Sequence, residues 1–228
     1  MKKSVSIEKL NKQYTNPMRA YKVLVKILSG ILKVVFRLKI EGAENMPKSG
    51  PVFVCCNHMS NWDPIIVAVA LKRPIHFMSK KELFNIPVIG ALVKGLGAFP
   101  VDRETADITA IKTALTHIKH GNVLGIFPQG TRCVGEPPES LPIKSGTGMM
   151  VFRTQVDVLP VSIYTGDYKV SLFKKMYVKI GEPIKYEQYN AGEKSQEQYQ
   201  QISDIIFERI CENVRLIKEA AEGQKNEN

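Results

Sequence analysis

The first long hydrophobic pattern of the chain lies between residues 17 and 37. Its apolar side chains recur at helical spacing: Val23, Leu24, Ile27, Leu28, Ile31, Leu32, Val34 and Val35. Four basic residues occupy the other face: Lys22, Lys26, Lys33 and Arg37. Such a helix either lies in the headgroups of an anionic bilayer or packs on a core with its basic face in water. No acidic residue occurs between Arg19 and Ile40, which favours contact with the membrane.

Beyond residue 37, short apolar runs alternate with helical patterns. Strand-like runs cover 38–41, 51–56, 75–78, 98–101, 123–127, 158–164 and 177–180. Helical patterns cover 65–71, 104–120, about 148–155 and 196–221. The alternation predicts a layered α/β domain with a largely parallel mixed sheet flanked by helices. The predicted organisation is a membrane-associating helical segment over 1–37, this domain over 38–222 and a disordered tail over 223–228.

Charged motifs directly follow three of the predicted strands. His58 comes after the run at 51–56, Arg103 after the run at 98–101, and Arg132 after the run at 123–127. In an open parallel sheet the carboxyl ends of the strands share one edge, and ligands bind in the crevice there. The three side chains are therefore expected to converge on one edge of the domain.

His58 is followed five residues later by Asp63, at the predicted start of a helix. A carboxylate beside an imidazole fixes its tautomer and stabilises the imidazolium, so the pair suits general-base catalysis. The simpler interpretation is that Asp63 caps the helix ahead of Pro64 and that His58 is an ordinary loop residue. The spacing alone leaves both interpretations open.

The composition says more about the binding partners of the chain than about the reaction that it catalyses. The 228 residues carry a formal net charge of +10, which favours an anionic partner: nucleic acid, a membrane surface or an acidic carrier protein. The four cysteines have no metal-type spacing, so neither a metal site nor a disulfide framework is predicted, and a reducing, cytoplasmic environment fits. The sequence shows no secretory signal and no apolar run of about 18 residues that would predict a transmembrane helix.

Four short blocks stand in order along the chain: Asn57-His58-x-Ser60-x-x-Asp63-Pro64, Gly97-x-Phe99-Pro100-Val101-Asp102-Arg103, Phe127-Pro128-Gln129-Gly130-Thr131-Arg132 and Leu159-Pro160-Val161-Ser162-Ile163. Together they resemble the glycerolipid acyltransferases, most of all the 1-acylglycerol-3-phosphate acyltransferases, over about residues 38–183. The resemblance implies that His58 and Asp63 are catalytic and that Arg103 and Arg132 engage the phosphate of the acceptor. Surface salt bridges with neighbouring acidic residues are the alternative for the arginines.

The third block departs from the family at one position, because Gln129 stands where glutamate is usual. We expect Gln129, Gly130 and Thr131 to line the acceptor site together with Arg132. Lys80 or Lys81 is a candidate for a third positive group and Lys144 for a fourth, and the alternative for each is an ordinary surface lysine. The glutamine removes a negative charge beside the expected phosphate. The identity of the acceptor is therefore open.

The resemblance implies an O-acyltransferase of phospholipid biosynthesis. Its acyl-CoA or acyl carrier protein thioester would acylate the sn-2 hydroxyl of 1-acylglycerol 3-phosphate and give phosphatidic acid, with no further cofactor. There is no Gly-x-Ser-x-Gly elbow, and Cys55 and Cys56 lie in an apolar strand where thiols are inert, so direct attack by the hydroxyl is expected. The expected location is the cytoplasmic face of the cell membrane, with peripheral or monotopic attachment. Nucleic acid is not expected as a partner.

Three alternatives are open from the sequence. In the first, the acceptor is glycerol 3-phosphate or another lysolipid. In the second, the enzyme is a thioesterase-like hydrolase. In the third, the chain is a non-catalytic basic protein that binds membrane or nucleic acid. The last alternative explains the charge and the helix at 17–37. It does not explain a histidine–aspartate pair beside two arginine-bearing strand ends.

Overall fold

The computed structural model of the chain describes residues 18–101 and 108–226. Its helices are α1 (Met18–Val35), α2 (Asp63–Leu71), α3 (Pro87–Gly95), α4 (Ile108–Lys119), α5 (Gly146–Thr154) and α6 (Gln196–Asn226). Its strands are β1 (Leu38–Glu41), β2 (Val52–Cys56), β3 (Ile75–Lys80), β4 (Phe99–Val101), β5 (Val123–Ile126), β6 (Val158–Tyr164) and β7 (Met176–Ile180). Short 3₁₀ helices lie at Ala43–Asn45, Lys81–Asn85, Pro138–Ser140 and Tyr186–Tyr189. The predicted alternation is confirmed, and Arg103 and the first turn of the helix predicted at 104–120 lie outside the described residues.

Within the described residues, seven strands form one sheet in the order β1-β7-β6-β2-β5-β3-β4. Strands β6, β2, β5, β3 and β4 run parallel, whereas β7 is antiparallel to β6 and pairs in parallel with β1. At the centre, Val54 pairs with Gly125 on one side and with Leu159 on the other. The sheet is therefore mixed and largely parallel, as predicted, and five strands end at the same edge.

The sheet has a helical layer on each face. Successive side chains of a strand point to opposite faces. Accordingly Cys56 belongs to the core that contains α1 and α2, and Cys55 belongs to the core that contains α4, α5 and α6. All of β2 is buried, which explains why it is a continuous apolar run in the sequence.

Helix α1 packs on this domain through one stripe of its surface. Tyr21, Val25 and Leu32, with Phe36 just beyond the helix, are buried in the same core as β2 and α2. The predicted boundary at residue 37 therefore does not separate two structural units. The described part of the N-terminal segment belongs to the core of the α/β domain.

The wide apolar face predicted for α1 divides into a buried part and an exposed part. The exposed part, here called the outer stripe, consists of residues that are each more than half exposed: Val23, Ile27, Ile31 and Val34. At about 100° per residue, they fall within about 80° around the helix axis. The basic residues are exposed as well: Lys22, Lys26, Lys33 and Arg37. Packing on the core thus accounts for only part of the apolar face of α1. Among the described residues, none of the helices combines the length and the hydropathy that a membrane span requires.

The last helix extends further than predicted. Helix α6 continues to Asn226, so the disordered tail predicted over 223–228 is wrong for 223–226, and the last two residues lie outside the described part of the chain. A single glycine such as Gly223 costs a helix only about 1 kcal/mol relative to alanine. The preceding turn is held by Ala221, which packs against the small core around Tyr164. The helix therefore continues through the polar end.

A pair of histidines joins β3 to α4 within the domain. The rings of His76 and His117 stack with centroids 4.0 Å apart, and His76 Nδ1–H donates a hydrogen bond to Gly97 O at 2.8 Å. Burial lowers the pKa of His76. Burial, with the neighbouring His76 and His120, lowers the pKa of His117 to about 3. Both rings are therefore neutral in the folded protein at neutral pH.

We expect acidification to destabilise the fold through this pair. Both pKa values lie below the unfolded value of about 6.5, so the unfolded chain takes up protons first and the free energy of unfolding falls as the pH drops below about 6.5. Urea denaturation between about pH 7 and about pH 5 measures the fall. His117→Phe keeps a ring against Phe99 and removes one titration, so its stability should fall less. An equal fall in both proteins would contradict the prediction.

Candidate active site

The residue after β2 fixes the start of the site. Asn57 Nδ2–H donates to Ile163 O at 2.9 Å, and Asn57 Oδ1 accepts from Ile163 N–H at 2.8 Å. Ile163 belongs to β6, the neighbouring strand, so the side chain of Asn57 continues the ladder where the backbone leaves it. The sequence did not predict this role, although an asparagine that ends an apolar strand is a side chain able to imitate a peptide group.

His58 and Asp63 form a close, buried pair. His58 Nδ1 lies 2.7 Å from Asp63 Oδ2, and the same oxygen accepts the backbone N–H groups of Met59 at 2.6 Å and Ser60 at 2.7 Å. Asp63 is fully buried and His58 is 9% exposed. Because an ionised carboxylate only accepts hydrogen bonds, Nδ1 carries the proton of the neutral ring. The second nitrogen, Nε2, is left as the basic atom.

This geometry shows that Asp63 does more than a simple helix cap would, whereas a catalytic role of the pair stays a prediction. Asp63 is the first residue of α2, ahead of Pro64; its Oδ2 bonds residues before the helix, and its buried Oδ1 has no hydrogen-bond partner among the described residues. The carboxylate turns back instead to the segment 58–60, and Asp63 N–H donates to Ser60 O at 3.2 Å to close the turn. The helix N-terminus beside it favours the negative charge. Asp63 therefore positions the imidazole and does not serve as a simple cap.

Two aromatic residues hold the plane of the imidazole. The ring of Phe127, just after β5, stacks on His58 with centroids 4.1 Å apart, and Phe77 of β3 stacks on Phe127 at 5.4 Å. Gly125 makes room for this stack, because a Cβ atom there would lie only 2.2 Å from Phe77 Cε1. No local sequence pattern marks rings that lie far apart along the chain, so these contacts were not predicted.

Gln129 is buried beside the backbone of His58. Its Oε1 accepts from His58 N–H at 2.8 Å, and its Nε2–H donates to Pro138 O at 3.0 Å. The residue is only 2% exposed. Cys133 N–H also donates to His58 O at 2.8 Å, so the loop after β5 holds both backbone groups of His58. These contacts make the side chain of Gln129 a positioning group inside the protein, and its contact with the acceptor stays a prediction.

The other predicted binding residues lie around this loop or on the same sheet edge. Thr131 and Arg132 are exposed and directly precede Cys133, which bonds His58, and Gly130 makes the turn with φ of 68°. Lys144, for which the sequence leaves an ordinary surface role open, lies against this loop. Its Cδ is 4.0 Å from the position that a Cβ atom on Gly130 would occupy. Arg132 thus lies one residue from a backbone contact of His58, and Lys144 lies against the same loop.

Lys80 lies further from the dyad. It is the exposed last residue of β3, and β5 separates β3 from β2 in the sheet. Its strand ends at the same edge as the dyad, as predicted from a parallel sheet. Arg103, which follows β4 in the sequence, lies outside the described residues. Its convergence with Arg132 stays a prediction.

The buried thiols of Cys55 and Cys56 are poor candidates for a nucleophile. Burial raises the pKa of the Cys55 and Cys56 thiols well above its ordinary value, which disfavours the reactive thiolate. Among the residues that the structure describes, no three His, Cys, Asp or Glu side chains are grouped to hold a metal ion. The arrangement is suited to acid–base chemistry on a bound anionic substrate.

Comparison with known proteins finds relatives that match most of the chain. The family model described as Acyltransferase matches residues 37–164. A 1-acyl-sn-glycerol-3-phosphate acyltransferase from Bacillus subtilis (strain 168) is 33% identical over 195 residues, which cover 84% of this chain and 96% of the relative. The chain belongs to the Acyltransferase family.

A second relative and a solved structure are also similar to this acyltransferase. A 1-acyl-sn-glycerol-3-phosphate acyltransferase from Escherichia coli (strain K12) is 28% identical, with 85% of this chain and 80% of the relative covered. The crystal structure of the 1-acyl-sn-glycerophosphate acyltransferase PlsC from Thermotoga maritima matches with a TM-score of 0.65 at 24% identity. That match covers 88% of this chain and 80% of the other. The structural match supports the fold alone.

Gln129→Ala is expected to lower kcat up to about 100-fold, as a misplacement of about 1 Å in an active site does, and to leave the acceptor KM nearly unchanged. The substitution removes the side-chain oxygen that accepts the hydrogen bond of the buried His58 N–H group. An unsatisfied buried N–H costs about 1–3 kcal/mol of stability, so the backbone of His58 becomes less well fixed. Steady-state kinetics with varied acceptor separates the two parameters. A rise in the acceptor KM alone would support the direct phosphate contact instead.

Proposed function

We propose that this chain transfers a fatty acyl group from an acyl thioester to the sn-2 hydroxyl of 1-acyl-sn-glycerol 3-phosphate and so makes phosphatidic acid. The observation that carries the proposal is the buried pair of His58 and Asp63 beside the loop of Arg132. The relatives from Bacillus subtilis and Escherichia coli bear the name of this activity. The reaction needs a base and a phosphate-binding cation close together, which supports the assignment.

The proposed mechanism uses the imidazole twice. Nε2 of His58 takes the proton of the acceptor hydroxyl while the oxygen attacks the thioester carbonyl and the new C–O bond forms. Asp63, hydrogen-bonded to Nδ1–H, stabilises the imidazolium that results. When the tetrahedral intermediate collapses, the C–S bond breaks and the imidazolium returns its proton to the leaving thiolate. No residue of the protein needs to carry the acyl group.

The acceptor phosphate is proposed to bind the cations near the dyad. The guanidinium of Arg132 presents paired donors that match two phosphate oxygens. Arg103, two residues beyond the end of β4 in the sequence, is proposed as the second arginine. Gly130, Thr131 and Lys144 lie on or across the same loop, and Lys80 ends a strand at this edge.

The acceptor is a lipid, so we propose that the enzyme works at an anionic bilayer. The outer stripe of α1 would enter the interface, and its exposed lysines would meet the headgroups. Attachment would be peripheral or monotopic and on the cytoplasmic face, where acyl-CoA or acyl carrier protein supplies the acyl group. The protein requires no further cofactor for the proposed chemistry.

His58→Ala is expected to lower the rate of acyl transfer by about 100- to 10,000-fold, because it removes the general base. Asp63→Asn should lose most of the activity as well, since a neutral amide no longer favours the imidazolium. Phosphatidic acid is measured by mass spectrometry, with circular dichroism as the control for folding. Near-normal turnover of a folded His58→Ala protein would exclude the mechanism.

Arg132→Ala and Arg103→Ala are each expected to raise the acceptor KM more than the donor KM. Each loses a charge-assisted contact of about 1.5–3 kcal/mol with the phosphate, equivalent to a rise of roughly 10- to 100-fold. Initial rates with each substrate varied in turn give both constants. Equal effects on donor and acceptor would assign the arginines to the fold or to the donor.

Replacing the four basic residues of the α1 region by glutamine is expected to weaken binding to anionic vesicles at low salt. They are Lys22, Lys26, Lys33 and Arg37. Each basic residue contributes about 1 kcal/mol near such a surface, and salt screens that attraction. Vesicle flotation measures binding, and a short-chain, water-soluble acceptor gives the control activity, which should change little. Flotation that depends on neither the substitutions nor the lipid charge would contradict the attachment.

A further inference from the structure

The loop between β6 and β7 exposes two large apolar residues that the fold does not use. Leu172 is 59% exposed and Phe173 is 68% exposed. Phe173 also has a left-handed backbone, with φ of 64°. Glycine or asparagine adopts this conformation at a lower cost than phenylalanine does. Neither the backbone geometry nor burial therefore explains why a phenylalanine stands there.

This loop is joined to the end of α1 by the backbone. Phe173 N–H donates to Val35 O at 2.6 Å, and Met176 N–H donates to Phe36 O at 3.1 Å. Val34, beside Val35, is the last residue of the outer stripe. Leu172 and Phe173 therefore stand where the outer stripe ends, and they extend the exposed apolar surface beyond the helix.

The charge around the loop matches an anionic lipid surface. Three exposed lysines flank the apolar pair: Lys169, Lys174 and Lys175. Asp167 is the one acidic residue in the sequence between 165 and 175, and Lys174 pairs with it at 2.7 Å. An apolar tip framed by lysines places hydrocarbon among acyl chains and ammonium groups among anionic headgroups.

The same region contacts the turn of the active site. Phe36 meets Trp62 edge to face, with centroids 5.7 Å apart, and Trp62 directly precedes Asp63. We propose that Leu172 and Phe173 form a second membrane anchor, which enters an anionic bilayer together with the outer stripe and holds the His58 crevice at the lipid surface. This inference rests on the proposed function for its purpose, and its test does not require acyl transfer.

The first test separates membrane binding from folding. In Leu172→Ala/Phe173→Gly, glycine suits the left-handed backbone, so the melting temperature should not fall. Flotation with phosphatidylglycerol vesicles at high salt should weaken about tenfold or more, because two apolar side chains no longer enter the bilayer. Leu216→Ala removes a residue that is 47% exposed on α6 and serves as the matched control, with binding unchanged. Unchanged binding of the double variant, or a fall in its melting temperature, would overturn the proposal.

The second test reports the position of the loop directly. Trp62 is the single tryptophan of the chain, so Trp62→Phe gives a silent background. In that background, the emission of Phe173→Trp should shift to the blue when vesicles without acceptor or donor are added, and that of Leu216→Trp should not. No shift for Phe173→Trp would overturn the anchor. Transfer by the wild-type protein is measured separately, so failure of the anchor and failure of the proposed function are distinguishable.

Discussion

The buried carboxylate of Asp63 is the interaction on which the site depends. Three N–H groups converge on its Oδ2, from the ring of His58 and from the backbone of Met59 and Ser60. Charge-assisted hydrogen bonds of this kind are strong, and they offset the cost of removing the charge from water. One oxygen therefore folds the turn between β2 and α2, fixes the imidazole and provides the charge that an imidazolium needs.

The parallel sheet supports this turn from both sides. Strand β6 holds Asn57 through Ile163, and the loop after β5 contributes the ring of Phe127 and the amide of Gln129. The helices divide the remaining tasks. Helices α4, α5 and α6 pack on one face of the sheet, and α1 and α2 pack on the other. The outer stripe of α1 is exposed to solvent on that second face. The turn that holds His58 and Asp63 and the outer stripe of α1 thus belong to the same side of the domain.

Local patterns predicted more of this structure than contacts between distant segments did. Buried parallel strands are apolar runs, and the turn from His58 to Asp63 involves neighbouring residues, so the sequence predicted both. The partner of Gln129, His58, lies in the turn after another strand, and only the folded arrangement shows that this amide is buried. Periodicity found the apolar face of α1 but could not divide it, because covered and uncovered side chains are equally hydrophobic. The polar end of α6 likewise gave no sign that the helix continues to Asn226.

Nitrogen-15 NMR of the histidine side chains tests the central claim most directly. The chain has four histidines, and the spectrum of His58→Gln identifies the signals of His58 by their loss. In the neutral ring, the account predicts a proton on Nδ1, held by Asp63, and an unprotonated Nε2 that is free to act as the base. A neutral His58 with its proton on Nε2 would contradict it, because that nitrogen could then not accept the proton of the acceptor hydroxyl.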